Sequence, residues 1–544
     1  MGARHRPRGP VRHRGVAVFA ENRRVKLLTL GACCFGLFMV MLDNTIVNVA
    51  LPSIQRELGA SVMSLQLVVD AYILVFASLL LTAGALGDRY GRKRVFQIGL
   101  VVFTIASALC GLATSEEMLI ASRALQAIGG SALLPSTLAL ITATFPDRRE
   151  QAQAIGLWSG VSAMALVAGP LLGGLLTDTL GWRSVFYVNV PVGAIALLVA
   201  GRVITESRNP AGRRLDLAGQ VLAILTLGSL TFALIEGNAH GWTSPPILAL
   251  LAIAIVGLPA FLLVERRSPN PMLALGFFRD PCFSSANAIA LLVGFALLGF
   301  VFFNTLYFQT VQGYSPLQAG LRYAPSTLVI VVVAPIAGRL ASRYGYWVPV
   351  TAGTTLAGAA LLLLTRSEAG TPYLELLGPL LLLGLGLGLT ISPMTAAAVA
   401  GMPPGQAGVA SATVNTNRQV GGALGVAVLG AIVTARFSAE LPSRLAPLHL
   451  PAAVRERIEA AAGQGVTGAS GAGGGGDVSS GAVRRAVSDA FMAGIHSAYL
   501  VSGTGLLVAA LLAVFLLRPR VDRRREGVAG EAALEPSEVG RPLA

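Results

Sequence analysis

Apolar runs of about twenty residues follow one another along nearly all of this 544-residue chain, separated only by short charged or turn-forming stretches. Each run matches the length that a helix needs to cross a hydrocarbon core of roughly 30 Å. Hydrophobic residues make up 54% of the chain, charged residues only 12%, and mean hydropathy is +0.69. A water-soluble fold of this composition would leave most of its apolar surface exposed, so the chain reads as an integral membrane protein.

With that ruler, spans fall near 27–50, 64–86, 95–113, 118–142, 153–177 and 184–204. A second set falls near 216–236, 247–265, 285–308, 319–341, 347–366, 373–398, 408–435 and 496–517, about fourteen in all. Alternate loops are basic: DRYGRKR, FPDRREQ, ESRNPAGRRLD, ERRSPNP and SRYGY on one side, against PSIQRELGAS, ATSEE and EGNAHGWTSPP on the other. Because Arg and Lys favour the cytoplasmic side, the first set is expected inside. The arginine-rich start MGARHRPRGPVRHRG lacks a small-residue cleavage site, which places the N-terminus inside, and an even span count places the C-terminus there too.

Segment 436–495 is read as an external loop containing one short amphipathic helix, PAAVRERIEAAA, and a flexible glycine-rich linker, GASGAGGGGD. Residues 518–544 read as a polar cytoplasmic tail whose first part suits anionic lipid headgroups. The net charge of +14 lies at the ends and in loops, with no basic face interleaved with aromatics, so nucleic acid is not expected as a partner. Cys33, Cys34, Cys110 and Cys282 lie in or beside apolar runs and the five histidines are scattered; neither a disulfide framework nor a metal site is expected. No P-loop pattern occurs.

One loop carries more than charge. GALGDRYGRKR, residues 84–94, includes Asp88 and the glycines Gly84, Gly87 and Gly91, none of which helps retain a positive loop on one side. Its pattern returns as Gly338, Leu340, Arg343, Tyr344 and Gly345, at the same end of a later span, as expected of two homologous halves related by an axis along the membrane normal. The second copy has Ser342 in place of Asp88, so a tight turn does not require the acid.

These stretches resemble the major facilitator superfamily, and within it the fourteen-span drug:proton antiporters. LDNTIVNVALP (42–52) is similar to the first-helix signature of that family, GALGDRYGRKR to its inner-loop motif and LIASRALQAIGG (119–130) to its fourth-helix motif. GVSAMALVAGPLLGG (160–174) is similar to the antiporter motif of the fifth helix, and WRSVFYVNVPVG (182–193) to the opening of the sixth. Ala85 and Leu67 depart from the usual arginine and tryptophan. The resemblance implies an all-α fold of two six-helix halves, 27–204 and 266–517, with a linker and two additional helices in 205–265, and a basic cytoplasmic tail in 1–26. It implies halves that rock about a central cavity. Gly84, Asp88, Arg89, Gly91 and Arg92 would then form the inner gate, and Gly169, Pro170, Gly173 and Gly174 a hinge and seal between halves.

Charges inside spans are costly and are therefore functional candidates. Asp43, Asp70 and Arg123 fall at a shared depth of roughly 8 to 11 Å below the outer surface. They are assigned to proton coupling, with Asp43 as the main carboxylate, Arg123 as the group biasing it and Asp70 in reserve. Asn44, Asn48, Gln126, Asn415 and Arg418 are candidates for contact with substrate in the cavity, Arg418 lying nearer the middle of its span. Phe302, Phe303, Tyr307 and Phe308 are read as core or lipid-facing ahead of cavity lining.

The expected function is proton-coupled efflux of amphipathic organic compounds, cationic or neutral, such as antibiotics or secondary metabolites, by a monomer in a bacterial cytoplasmic membrane, with no cofactor beyond the proton gradient. A bacterial source is suggested by Arg, Ala and Gly usage, Lys26 and Lys93 being the only lysines. An uptake symporter is the nearest alternative, and a non-transporting receptor or enzyme a more distant one.

Overall fold

A helix satisfies every backbone donor and acceptor within its own segment, which is why apolar runs in a bilayer resolve into helices. The computed structural model of the protein describes residues 23–207 and 216–517, apart from 270, 272, 274, 401, 403–406, 462–465, 467, 468 and 470–479. Among the described residues there is no strand. The arginine-rich start, most of the glycine-rich linker and the C-terminal tail lie outside the described residues.

The helices are α1 (Arg23–Leu58), α2 (Val62–Tyr90), α3 (Arg92–Gly111), α4 (Glu116–Thr144), α5 (Arg148–Leu180), the short α6 (Ser184–Tyr187) and α7 (Asn189–Val203). There follow α8 (Leu217–His240), α9 (Pro245–Arg267), α10 (Pro281–Leu306), α11 (Pro316–Tyr344), α12 (Trp347–Leu364), α13 (Tyr373–Ala400), α14 (Ala407–Leu445), α15 (Ala452–Ala460) and α16 (Ser480–Leu516). Thirteen helical segments among the described residues are long and apolar enough to cross a membrane. The span expected at 153–177 forms α5, 33 residues long, which packs between α1 and α11 without belonging to those thirteen.

Turns are set by local chemistry. Ser61, Ser115 and Ser315 each accept a bond from the backbone three residues on and so cap α2, α4 and α11. Gly91 (φ +116°) and Gly345 (φ +85°) close α2 and α11 in a region that favours glycine, so the two copies of the repeated motif share backbone geometry as well as sequence. The end carrying these two turns is the basic end of the bundle; the end carrying Ser61 and Ser315 is the far end.

The first seven helices and the set α10–α16 form two packed groups. Helices α8 and α9 pair with each other, and α8 lies against both α2 and α14. On α9 only Ile247, Ala254 and Glu265 are buried, while Ile255 and Val256 are 72% and 65% exposed, an apolar surface suited to lipid.

One expectation is corrected. The segment read as loop 436–495 is helical at both ends, because α14 runs on to Leu445 and α16 begins at Ser480. These extensions are too polar for the apolar ruler, yet each buries one face: Phe437, Leu441 and Leu445 on α14 and Val483, Val487 and Phe491 on α16, with Phe437 and Phe491 edge to face at 5.7 Å. The short amphipathic helix expected there is present as α15, which buries Ile458.

Candidate functional site

Asp43, Arg123 and Gln126 meet inside the first group of helices. On α4 the three-residue spacing of Arg123 and Gln126 puts both on the face turned to α1. Arg123 Nη1 donates to Asp43 Oδ2 at 2.5 Å and to Gln126 Oε1 at 2.7 Å, while Gln126 Nε2 donates to Asp43 Oδ1 at 2.9 Å. Asp43 and Gln126 are fully buried and Arg123 is 2% exposed. The guanidinium lies over the Tyr72 ring, 4.1 Å from its centroid, and its Nε reaches the Val68 carbonyl at 3.4 Å.

The knot extends through Ser107 of α3, which accepts from Gln126 Nε2 at 3.1 Å and from Asn189 Nδ2 at 3.0 Å and donates to the Phe186 carbonyl at 2.9 Å. The break between α6 and α7 at Val188 aims both Phe186 and Asn189 at Ser107. Ser107, Tyr72 and Asn189 were not singled out from sequence. Asn189 lay within the quoted sixth-helix signature, but Ser107 and Tyr72 carried no signal of their own.

Asp70 stands apart from this knot. It is 1% exposed and neither carboxyl oxygen has a partner among the described residues. Gln66, one turn earlier on α2, donates to the Val426 carbonyl of α14 at 3.2 Å, so Asp70 occupies the α2 face turned to the second group of helices. The shared depth read from sequence therefore joins Asp43 to Arg123 and leaves Asp70 on a different face. Asn44 and Asn48 bond back to their own helix, to the Val40 carbonyl at 3.2 Å and the Asn44 carbonyl at 3.1 Å.

At the basic end, Asp88 Oδ1 accepts from Arg92 Nη2 at 2.8 Å and Nε at 2.9 Å, and Arg92 Nη1 reaches the Ala139 carbonyl of α4 at 3.3 Å. Glu206 caps the start of α3, accepting from the backbone of Lys93 at 3.0 Å and of Arg94 at 3.2 Å. A Cβ on Gly91 would stand 2.6 Å from the Glu206 carboxyl, a second reason for glycine there. Gly84 lies beside Pro135 of α4 and Arg89 is exposed. All these contacts stay within the first group of helices.

The α5 glycines lie between the two groups. A Cβ on Gly173 would come 2.8 Å from the Ile46 carbonyl of α1, and one on Gly174 2.6 Å from the Pro316 carbonyl of α11. Gly169 meets Thr45 of α1, and the Pro170 carbonyl meets Gly320 of α11. Bulk at any of them would push α5 off a neighbour.

In the second group, Arg418 donates through Nη2 to Asn415 Oδ1 at 3.0 Å, and Asn417 donates to Asn287 Oδ1 of α10 at 2.7 Å. Phe302, Phe303, Tyr307 and Phe308 are all buried at 1% exposure or less and form core. A further buried set missed from sequence joins α10, α11 and α16: Asn304 donates to the Tyr323 hydroxyl at 2.9 Å and accepts from the Tyr499 hydroxyl at 2.9 Å. Among the described residues no three His, Cys, Asp or Glu converge to hold a metal.

Described hydrogen bonds between the first group and α10–α16 lie toward the far end: Gln309 to the Val49 carbonyl at 2.8 Å, Ser315 to Asp178 at 2.7 Å, and Gln66 to Val426. The helices are clasped there.

The family profile of the Major Facilitator Superfamily matches residues 33–426. The multidrug resistance protein Stp of Mycobacterium tuberculosis (strain CDC 1551 / Oshkosh) is 42% identical over 436 residues, covering 80% of either chain. The tetracenomycin C resistance and export protein of Streptomyces glaucescens is 37% identical over 501 residues, covering 91% of this chain and 92% of its own. Among solved structures, an inward-facing, occupied bacterial homologue of the human lysosomal transporter Spinster superposes with a TM-score of 0.63 at 17% identity, covering 91% of this chain and 97% of that one, a likeness of fold.

Proposed function

This chain belongs to the Major Facilitator Superfamily, and we propose that it exports amphipathic organic compounds in exchange for protons. It is a transporter and not an enzyme. Export is supported by relatives whose names describe multidrug resistance and tetracenomycin C resistance and export. The observation that carries proton coupling is the buried Asp43–Arg123 pair with Gln126, next to a buried Asp70 that has no described partner.

In this reading α5, as a fourteenth span, joins the thirteen others, both termini and the basic end face the cytoplasm of a bacterium, and the monomer is the working unit. The far-end clasps hold the outer side shut, and rocking of the halves would release them. Proton uptake by Asp43 would cancel its charge and free Arg123 to reorient, while Gln126 keeps the carboxyl in place; loss of the proton would restore the pair. Substrate enters when the basic end is open and leaves when the far end opens. Asp70, turned toward α14, is the second proton carrier, and no cofactor is needed.

The test is reconstitution. Proteoliposomes with an acid lumen should accumulate ethidium, and an ionophore that collapses the pH gradient should abolish the accumulation. Accumulation that ignores the gradient, or that runs toward the alkaline side, would refute proton exchange.

A further inference from the structure

Arg418 is a cation inside the bundle with no ion-pair partner among the described residues. It lies eleven residues into α14, roughly 16 Å along the helix from the basic end and so close to mid-membrane. Its backbone is seated tightly against Gly294 of α10, which fixes where the side chain starts. Of its N–H groups only Nη2 has a described partner, the neutral Asn415 side chain. The residue as a whole is half-buried.

No described carboxylate lies within ion-pair distance of it. The Asn417 amide is taken up by Asn287, Asp43 is held by Arg123, and Asp70, on the α2 face that meets α14, forms no ion pair with Arg418. A guanidinium at this depth is costly unless something pairs with it, and its planar fork of donors matches a carboxylate with two parallel hydrogen bonds.

The geometry points to Arg418, steadied by Asn415, as a receptor for the anionic group of an amphipathic organic anion such as an aryl carboxylate. This rests on the reading of the chain as a carrier of organic compounds and deepens it. Organic anions then join the cationic or neutral cargo expected from sequence alone.

Equilibrium binding of tritiated 2-naphthoate and of its neutral near-isostere 2-naphthamide, to purified protein in lipid nanodiscs, tests this. Wild type should bind the naphthoate more tightly than the amide. Arg418→Gln should weaken naphthoate binding about tenfold or more and leave the amide within about twofold, and Arg418→Lys should fall between, keeping the charge and losing the fork. Asn415→Asp supplies Arg418 with a carboxylate from its own helix and should remove the preference without removing the arginine. Asp70→Asn should leave the preference intact.

Amide binding reports that each variant is folded. Equal affinities for the two probes in wild type, equal losses for both in Arg418→Gln, or loss of the preference in Asp70→Asn would each overturn the assignment, the last because it would make Arg418 the partner of Asp70. No gradient enters these measurements, so their outcome is separate from whether transport follows the pH gradient.

Discussion

Arg123 and Asp43 form an ion pair at 2.5 Å with side chains 3% and 0% exposed, linking α4 to α1 with Gln126 bridging both. Removing one member of such a pair leaves an uncompensated buried charge, which in proteins generally costs about 3–5 kcal/mol, whereas removing both costs much less. Arg123→Gln should therefore lower the thermal unfolding temperature of the purified protein more than Asp43→Asn combined with Arg123→Gln does. A double variant at least as unstable as the single one would mean that the charges do not act as a pair. Asp43→Asn alone should also lose gradient-driven ethidium accumulation in proteoliposomes; full accumulation would shift the coupling role to Asp70.

Asp88 and Arg92 are partly exposed and one turn apart, an arrangement worth about 0–1 kcal/mol in stability. Asp88→Asn should therefore keep expression and unfolding temperature near wild type while slowing transport. Ser342→Ala, at the matching position of the second copy, should be nearly silent, because the described bond of Ser342 runs back to the Arg339 carbonyl of its own helix at 2.8 Å. Matched transport rates for Asp88→Asn and wild type would remove the gating role.

Gly174 and Gly320 let α5 and α11 touch backbone to backbone at the far end. Valine at either position should force the two helices apart. A cysteine at Ser315 should then react faster with a membrane-impermeant maleimide than the same cysteine in the otherwise unchanged protein. Unaltered labelling would show that this seam does not hold the far end closed.

Helix α8 is fastened at one end to α2, where Gln220 donates to the Ser78 carbonyl at 2.9 Å, and at the other to α14, where Asn238 donates to the Ala431 carbonyl at 2.7 Å. If α8 travels with α2, a cysteine cross-link between positions 220 and 78 should leave transport intact. One between 238 and 431 should stop it reversibly. The opposite pattern would assign α8 to the second half.

Orientation is open to a simple assay. Alkaline phosphatase fused after Pro519 should be inactive in intact cells, and full activity would reverse the membrane topology proposed for the chain.

How far the sequence could be read depends on whether the governing distance is local. The spans were legible because bilayer thickness sets a ruler that any apolar run either meets or fails, and the turns at Gly91 and Gly345 because the same residues recur at the same end of a span. The extension of α16 back to Ser480 was not legible: RRAVSDAF is too polar for that ruler, and its helix depends on Phe437 of another helix. The depth of Asp43 and Arg123 could be counted along their own helices, at a fixed rise per residue.

Sequence by itself thus determined the membrane class, the succession of helices, the repeat and which polar groups are buried in the membrane interior. Tertiary structure decided their partners: Arg123 went to Asp43 while Asp70 was left facing α14, and Ser107 and Asn189 joined a network from two other helices. The reason is geometric. Rise per residue fixes depth along a helix axis, but the neighbour a side chain meets depends on the rotation of each helix and the order in which helices pack, and both are set by contacts among residues far apart in the chain.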